Sequence, residues 1–196
     1  MKKTIILLIA TLFCLEFSFG QGIAKQPLVI GIQYFGELAF NPGVEVDYQH
    51  HIFEWKKVKL KRTMLHQINF RPSIAYYQLK GYTDNFLLTP NFDYHFRSSN
   101  NKKSSYLFVE TYIKFGYQRF FFKGTTYKTT DNEFEEIKFA GGNSFVIGSG
   151  ISFGGSINPN QLDWIFGTEY LPELSGALFI HHVNFKIGIR YKILKK

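Results

Sequence analysis

Hydrophobicity in this chain alternates with a period of two over long stretches, and that period admits strands and excludes amphipathic helices. Phe86, Leu88, Pro90, Phe92, Tyr94 and Phe96 share one face, while Leu87, Thr89, Asn91, Asp93, His95 and Arg97 share the other. Leu107, Val109, Thr111, Ile113, Phe115 and Tyr117 oppose Phe108, Glu110, Tyr112, Lys114, Gly116 and Gln118. Val183, Phe185, Ile187, Ile189 and Tyr191 oppose His182, Asn184, Lys186, Gly188 and Arg190. Read this way, eight strands emerge at 27–37, 43–54, 64–80, 85–97, 105–122, 143–156, 161–171 and 179–194. Turn chemistry separates them at Asn41-Pro42-Gly43, Thr83-Asp84-Asn85, residues 98–105, Asn158-Pro159-Asn160 and residues 171–176. The longest connection, 123–142, is polar and ends in Gly141-Gly142. Pro72 and Pro90 each remove a ladder donor within a strand, so bulges or displaced strand ends are expected there. Residues 70–76 weakly resemble residues 88–94, a likeness of one hairpin unit to the next.

A soluble sandwich or barrel also alternates, with its apolar face inside. Three features favour the inverse. Gly31, Gly116, Gly148, Gly150, Gly154, Gly167 and Gly188 fall on the polar face, where a narrow eight-stranded barrel needs room for large neighbours. That face also carries both signs. Its acids are Glu45, Asp47, Asp93, Glu110, Asp163 and Glu169, and its bases are Arg71, Arg97, Lys114, Lys186 and Arg190. These can neutralise one another in a lumen, where an unpaired charge is costly. Aromatic side chains on the apolar face gather near strand ends at Tyr34, Tyr48, Tyr76, Phe96, Tyr117, Trp164, Tyr170 and Tyr191, as at a membrane interface. Aromatic residues make up 18% of the chain, yet mean hydropathy is only −0.12, so the apolar side chains are spaced rather than clustered. Beyond residue 20 no run reaches the length of a transmembrane helix. The sequence thus predicts an all-β fold, an up-and-down antiparallel transmembrane β-barrel of about eight strands. With the N-terminus on the periplasmic side, the 123–142 connection falls outside, and 55–63 is a longish periplasmic turn.

Residues 1–20 read as a signal peptide, with Lys2 and Lys3 before an apolar run from Ile5 to Leu15. Ser18 and Gly20 suit cleavage near Gly20, leaving residues 21–196 as the barrel domain. Phe13 stands where lipid attachment at Cys14 would need a small residue. Cys14 is the single cysteine, so the remaining chain has no disulfide and no thiol chemistry. The net charge of +8 comes without a nucleic-acid motif, so outer-membrane lipid and lipopolysaccharide are the expected neighbours, not nucleic acid.

The stretches Phe19-Gly20-Gln21, Phe40 to Tyr48, Arg71-Pro72, Thr89-Pro90-Asn91, and Leu171-Pro172 followed by Lys186 to Tyr191 together resemble a family. It comprises the small, mostly uncharacterised outer-membrane β-barrel proteins of Bacteroidetes-type bacteria. The resemblance implies fold and location in the outer membrane. It implies no catalytic residues.

Chemistry-bearing groups are few. His50-His51 and His181-His182 point to opposite faces within each pair, so neither chelates one ion, and no metal or cofactor is expected. His51, His95 and His182 should face the lumen from separate strands. Residues 179–184 are faintly similar to the His-x-Ser-Asn pattern of barrels that deacylate lipid A, but Val183 stands at the nucleophile position. Lys56, Lys57, Lys59, Lys61 and Arg62 form the densest basic stretch, a candidate contact for lipid phosphates or an envelope protein partner. The expected role is non-enzymatic: envelope structure or presentation of surface loops. Alternatives are an accessory subunit of an outer-membrane secretion or assembly complex, a narrow porin-like channel for small solutes, and a lipid A-modifying hydrolase.

Overall fold

The computed structural model describes residues 27–37, 41–100, 105–130, 133–175 and 178–193. The expected signal peptide and cleavage point lie outside the described residues. Among these residues twelve strands form: β1 (Leu28–Glu37), β2 (Gly43–Lys59), β3 (Arg62–Phe70), β4 (Ser73–Leu79), β5 (Thr83–Thr89), β6 (Asn91–Asn100), β7 (Tyr106–Phe122), β8 (Thr126–Thr130), β9 (Glu133–Ile137), β10 (Gly141–Asn158), β11 (Leu162–Ser175) and β12 (Leu178–Ile193). All pairings are antiparallel. Those of the large sheet run β1-β12-β11-β10-β7-β5-β4-β2, and β2 pairs again with β1, so the order returns to its start.

The prolines explain why ten strands stand where eight were expected. Strands β3 and β4 are two halves of one staff, parted at Pro72, and β5 and β6 are halves of the next, parted at Pro90. Of the two outcomes expected at these sites, strand ends occur and bulges do not. Asn69 opposes Asp93 below the prolines and Ser73 opposes Thr89 above them, so the register passes through unchanged. Pro72 still accepts from Tyr48 at 3.1 Å, and Pro90 accepts from Phe115 at 3.4 Å, so each proline omits only its own donor. Pro90→Val would return an N–H toward the Phe115 carbonyl. The expected gain is about 1 kcal/mol in urea unfolding of the lipid-reconstituted protein. An unchanged midpoint would mean that this carbonyl is already satisfied. Bulges lie elsewhere: at Ile52, where β2 slips one residue against β3, and between Ser156 and Asn158, where β10 slips against β11.

Register fixes the shape. Crossing from Tyr191 to successive partners passes Ile30, Tyr48, Pro72, Pro90, Phe115, Ile147 and Pro172, and regains the same strand at His181, ten residues away. A stagger of ten over eight staves gives a tilt of about 40° and a backbone radius of about 8 Å, from a rise of about 3.3 Å and a spacing of about 4.8 Å. So narrow a tube is filled by side chains.

The apolar face is outside. Ile113 is 61% exposed, Ile187 60% and Phe92 45%, while Lys114, Lys186 and Asp93, their chain neighbours, are at most 1% exposed. Inward glycines make the room: a Cβ on Gly31 would stand 2.6 Å from the Asp47 carboxylate, and one on Gly150 would stand 2.3 Å from the Tyr112 ring.

The 123–142 connection is more ordered than a plain loop. Its β8 and β9 pair as a separate ribbon, with a positive φ at Gly124 and Phe139 marking its base. The 55–63 turn is also a strand pair, since β2 and β3 continue in register to Lys59 and Arg62.

Candidate functional site

Among the described residues, chemistry-bearing groups converge in the lumen. Inward positions on β2, β7, β11 and β12 meet at mid-height as Glu45, Lys114, Glu169 and Lys186. Lys114 Nζ lies 2.9 Å from Glu45 and 3.2 Å from Glu169, and Lys186 Nζ lies 3.0 Å and 2.7 Å from the same two carboxylates. Each base thus spans both acids, a closed four-member ring of opposite charges. The Phe35 ring lies beneath both ammonium groups, at 5.1 and 5.4 Å. Tyr112 donates to Glu169 at 3.1 Å.

A second group adjoins it toward the end where β1 begins. Glu110 accepts from Arg71 at 3.1 Å and from Arg190, and it stands 2.7 Å from His95 Nδ1. Gln33 donates to Asp47, Asn69 donates to Asp93 at 3.1 Å, and Arg71 lies over the Tyr112 ring at 4.9 Å. Nearer that rim, Lys192 pairs with Asp163 at 2.8 Å, Tyr106 donates to Asp163 at 2.6 Å, and Arg97 lies over the Tyr106 ring. Near the opposite rim, Glu173 accepts from Gln118 at 2.9 Å and meets His182 at 3.3 Å, and His182 also faces Glu37.

All eleven lumen residues expected from sequence face inward, ten of them buried and Arg97 half-buried near the rim. Apolar side chains fill the tube alongside these charge pairs and hydrogen bonds. Phe35, Ala75, Tyr77, Leu87, Val146 and Leu171 make an apolar layer toward the ribbon end, and Tyr106, Phe108 and Ile165 make another toward the opposite end. The ionised centre is therefore sandwiched between hydrophobic layers, where a broken pair would be hard to hydrate. Sequence parity carried Lys192, Tyr112 and Gln118 inward too, but nothing in it marked them as partners of the named charges, and Glu173 fell in a stretch read as a turn because β11 runs on to Ser175.

His51 stands 3.2 Å from Asn69, and His51, His95 and His182 bond to different partners at different heights. His181 faces outward and its Nδ1 lies 2.6 Å from the Tyr170 hydroxyl, with the two rings stacked at 5.8 Å. Val183 is outward beside them.

The Ile52 bulge reverses parity beyond it, and alternation along β2 then divides the basic stretch between the two faces. Trp55 pairs with His66 on the outer wall, its ring stacked on the imidazole at 5.0 Å, and His66 is 2.7 Å from the Tyr94 hydroxyl. Lys57, Lys59 and Arg62 share that outer face. Lys56 shares the inner face with Glu54, 3.1 Å away. The five bases therefore do not form one contact surface.

No family model matches the chain, and no curated protein sequence matches it. Several solved structures resemble it. Neisserial surface protein A is 10% identical, with 85% of this chain and 93% of that one covered and a TM-score of 0.45. The outer membrane enzyme PagL is 14% identical, with 85% and 99% covered and a TM-score of 0.41. The Yersinia pestis outer membrane protein Ail is 14% identical, with 86% and 100% covered and a TM-score of 0.38.

Proposed function

We propose that this chain is an integral outer-membrane β-barrel without enzymatic activity, which presents its ribbon and loops at the cell surface through a sealed lumen. The observation that carries the reading is the inversion of polarity: ionised side chains at the centre, and Ile, Val, Leu and Phe exposed outside. In water such a wall would be a very large apolar patch. In lipid it is the expected surface.

The height of that wall agrees. Outward aromatic and imidazole side chains bracket it ten residues apart on three staves: His66 and Tyr76, Phe86 and Phe96, His181 and Tyr191. Ten residues at about 3.3 Å and a tilt of about 40° rise about 25 Å, the height of an outer-membrane apolar band. The ionised centre and its two hydrophobic layers support a barrier rather than a channel. Val183 beside the His181–Tyr170 pair supports a structural role for that imidazole.

Two measurements test the reading. Unboiled protein in detergent should migrate differently from boiled protein on a gel, and it should give no stable conductance in planar bilayers. Identical migration would remove the barrel assignment, and steady single-channel steps would remove the sealed lumen. One observation favours a second reading, an accessory subunit of an envelope complex. The ribbon end exposes Tyr127, Phe134 and Phe139 at 58, 75 and 81%. A partner retained at fixed stoichiometry in mild detergent, and lost on deleting the ribbon, would support it.

A further inference from the structure

The outer wall of the β2–β3 hairpin changes character within four residues. Trp55 and His66 stack side by side, and Phe96 and Tyr94 complete the ring cluster at 5.1 and 6.1 Å from His66. Beyond them on the same face come Lys57, two residues past Trp55, and then Lys59 opposite Arg62, with Lys61 at the turn. Lys57, Lys61 and Arg62 are exposed, and among the described residues none of these three has a carboxylate partner. Lys56 differs. It faces the other way and pairs with Glu54 at 3.1 Å.

The opposite end of the barrel is mixed in sign, with Lys123 paired to Asp84 and Lys128 opposite Glu135. The cationic excess is thus confined to one end, and there it extends the lipid-facing wall directly past its aromatic edge. Rings of this kind settle at the boundary of the hydrocarbon. Two further residues along a strand tilted by about 40° rise about 5 Å, and a lysine stem reaches several ångströms more, which is the depth of phosphate groups. An acidic protein would require no adjoining aromatic wall.

We propose that Lys57, Lys61 and Arg62 form a binding surface for anionic phospholipid headgroups, enriching such lipids around this hairpin in the leaflet at the end where the described chain begins. The inference rests on the membrane-spanning reading above. Each ammonium or guanidinium group near an anionic surface adds attraction that salt screens.

Trp55 reports on the surface directly, because Trp164→Phe leaves it the single tryptophan. The protein carrying that change is reconstituted in vesicles of equimolar phosphatidylcholine and phosphatidylglycerol, with one lipid brominated at a time. Brominated phosphatidylglycerol should quench Trp55 as if enriched about fivefold at low salt. Added NaCl should reduce the preference. The combined change Lys57→Gln, Lys61→Gln and Arg62→Gln should abolish it, whereas Lys56→Gln should leave it intact. Gel mobility before boiling checks that each variant has folded. Equal quenching by both lipids would overturn the proposal and leave the barrel reading standing, with an acidic protein as the next occupant to test. A preference that survives the triple change, or falls equally in Lys56→Gln, would also overturn it. Absence of quenching by either lipid would remove the membrane assignment itself.

Discussion

Glu110→Ala should cost about 3–5 kcal/mol in urea unfolding of the lipid-reconstituted barrel, the loss expected when one partner of a buried charged set is removed. Three groups converge on that carboxylate: Arg71, Arg190 and His95. Without it two guanidinium groups confront each other inside a tube that is closed to water above and below. Lys114→Ala should act similarly, because Glu45 and Glu169 would then share Lys186 alone. Glu110→Gln keeps the shape and some hydrogen bonds, so it should recover part of the loss and separate charge from packing. Losses below about 1 kcal/mol in both alanine variants, with bilayer conductance unchanged, would mean that the centre is solvated and the charges are dispensable.

Gly116→Val should block folding or lower the refolding yield severely. An added Cβ there would stand 2.2 Å from the Leu88 carbonyl oxygen and 2.9 Å from the Thr89 Cα. Both atoms belong to the backbone of the neighbouring staff, so no rotamer change relieves the overlap. Overpacking of a tight interior costs about 1–3 kcal/mol when side chains can move, and more when they cannot. Gly31→Ala is the milder comparison, because its neighbour is the movable Asp47 carboxylate. The readout is the fraction of protein that shows the folded mobility on an unboiled gel. Equal yields for Gly116→Val and the parent would show that β5 and β7 can separate at this point.

Parity made much of this barrel legible. Strict alternation placed Glu45, Glu110, Lys114, Glu169 and Lys186 on one face, and the signs and glycines on that face showed it to be the enclosed one. Three features were hidden for physical reasons. A bulge adds one residue without changing composition, so nothing around Ile52 announced that Trp55 turns outward and Lys56 inward. The prolines misled in the other direction: a missing donor need not disturb register when flanking bonds hold, as Arg71 and Asn91 do here by bonding reciprocally at 2.8 and 3.1 Å. The hydrophobic layers around Phe35 and Phe108 were hidden because alternation identifies a face but not the height at which side chains from different staves meet. The ribbon β8–β9 escaped notice because its polar residues read as loop, and only the pairing of Tyr127 with Glu136 and its neighbours orders it.

The four-member ring at mid-height has a consequence for biogenesis. Glu45 lies near the beginning of the chain and Lys186 near its end, yet the two touch. Until first and last staves dock, a nascent barrel carries bare ions in the part that must enter the bilayer. A half-wound or truncated chain is penalised for insertion, while the finished cylinder is neutral at its heart. Assembly is thereby biased toward an all-or-none outcome, because neutrality at mid-height arrives only with the last stave.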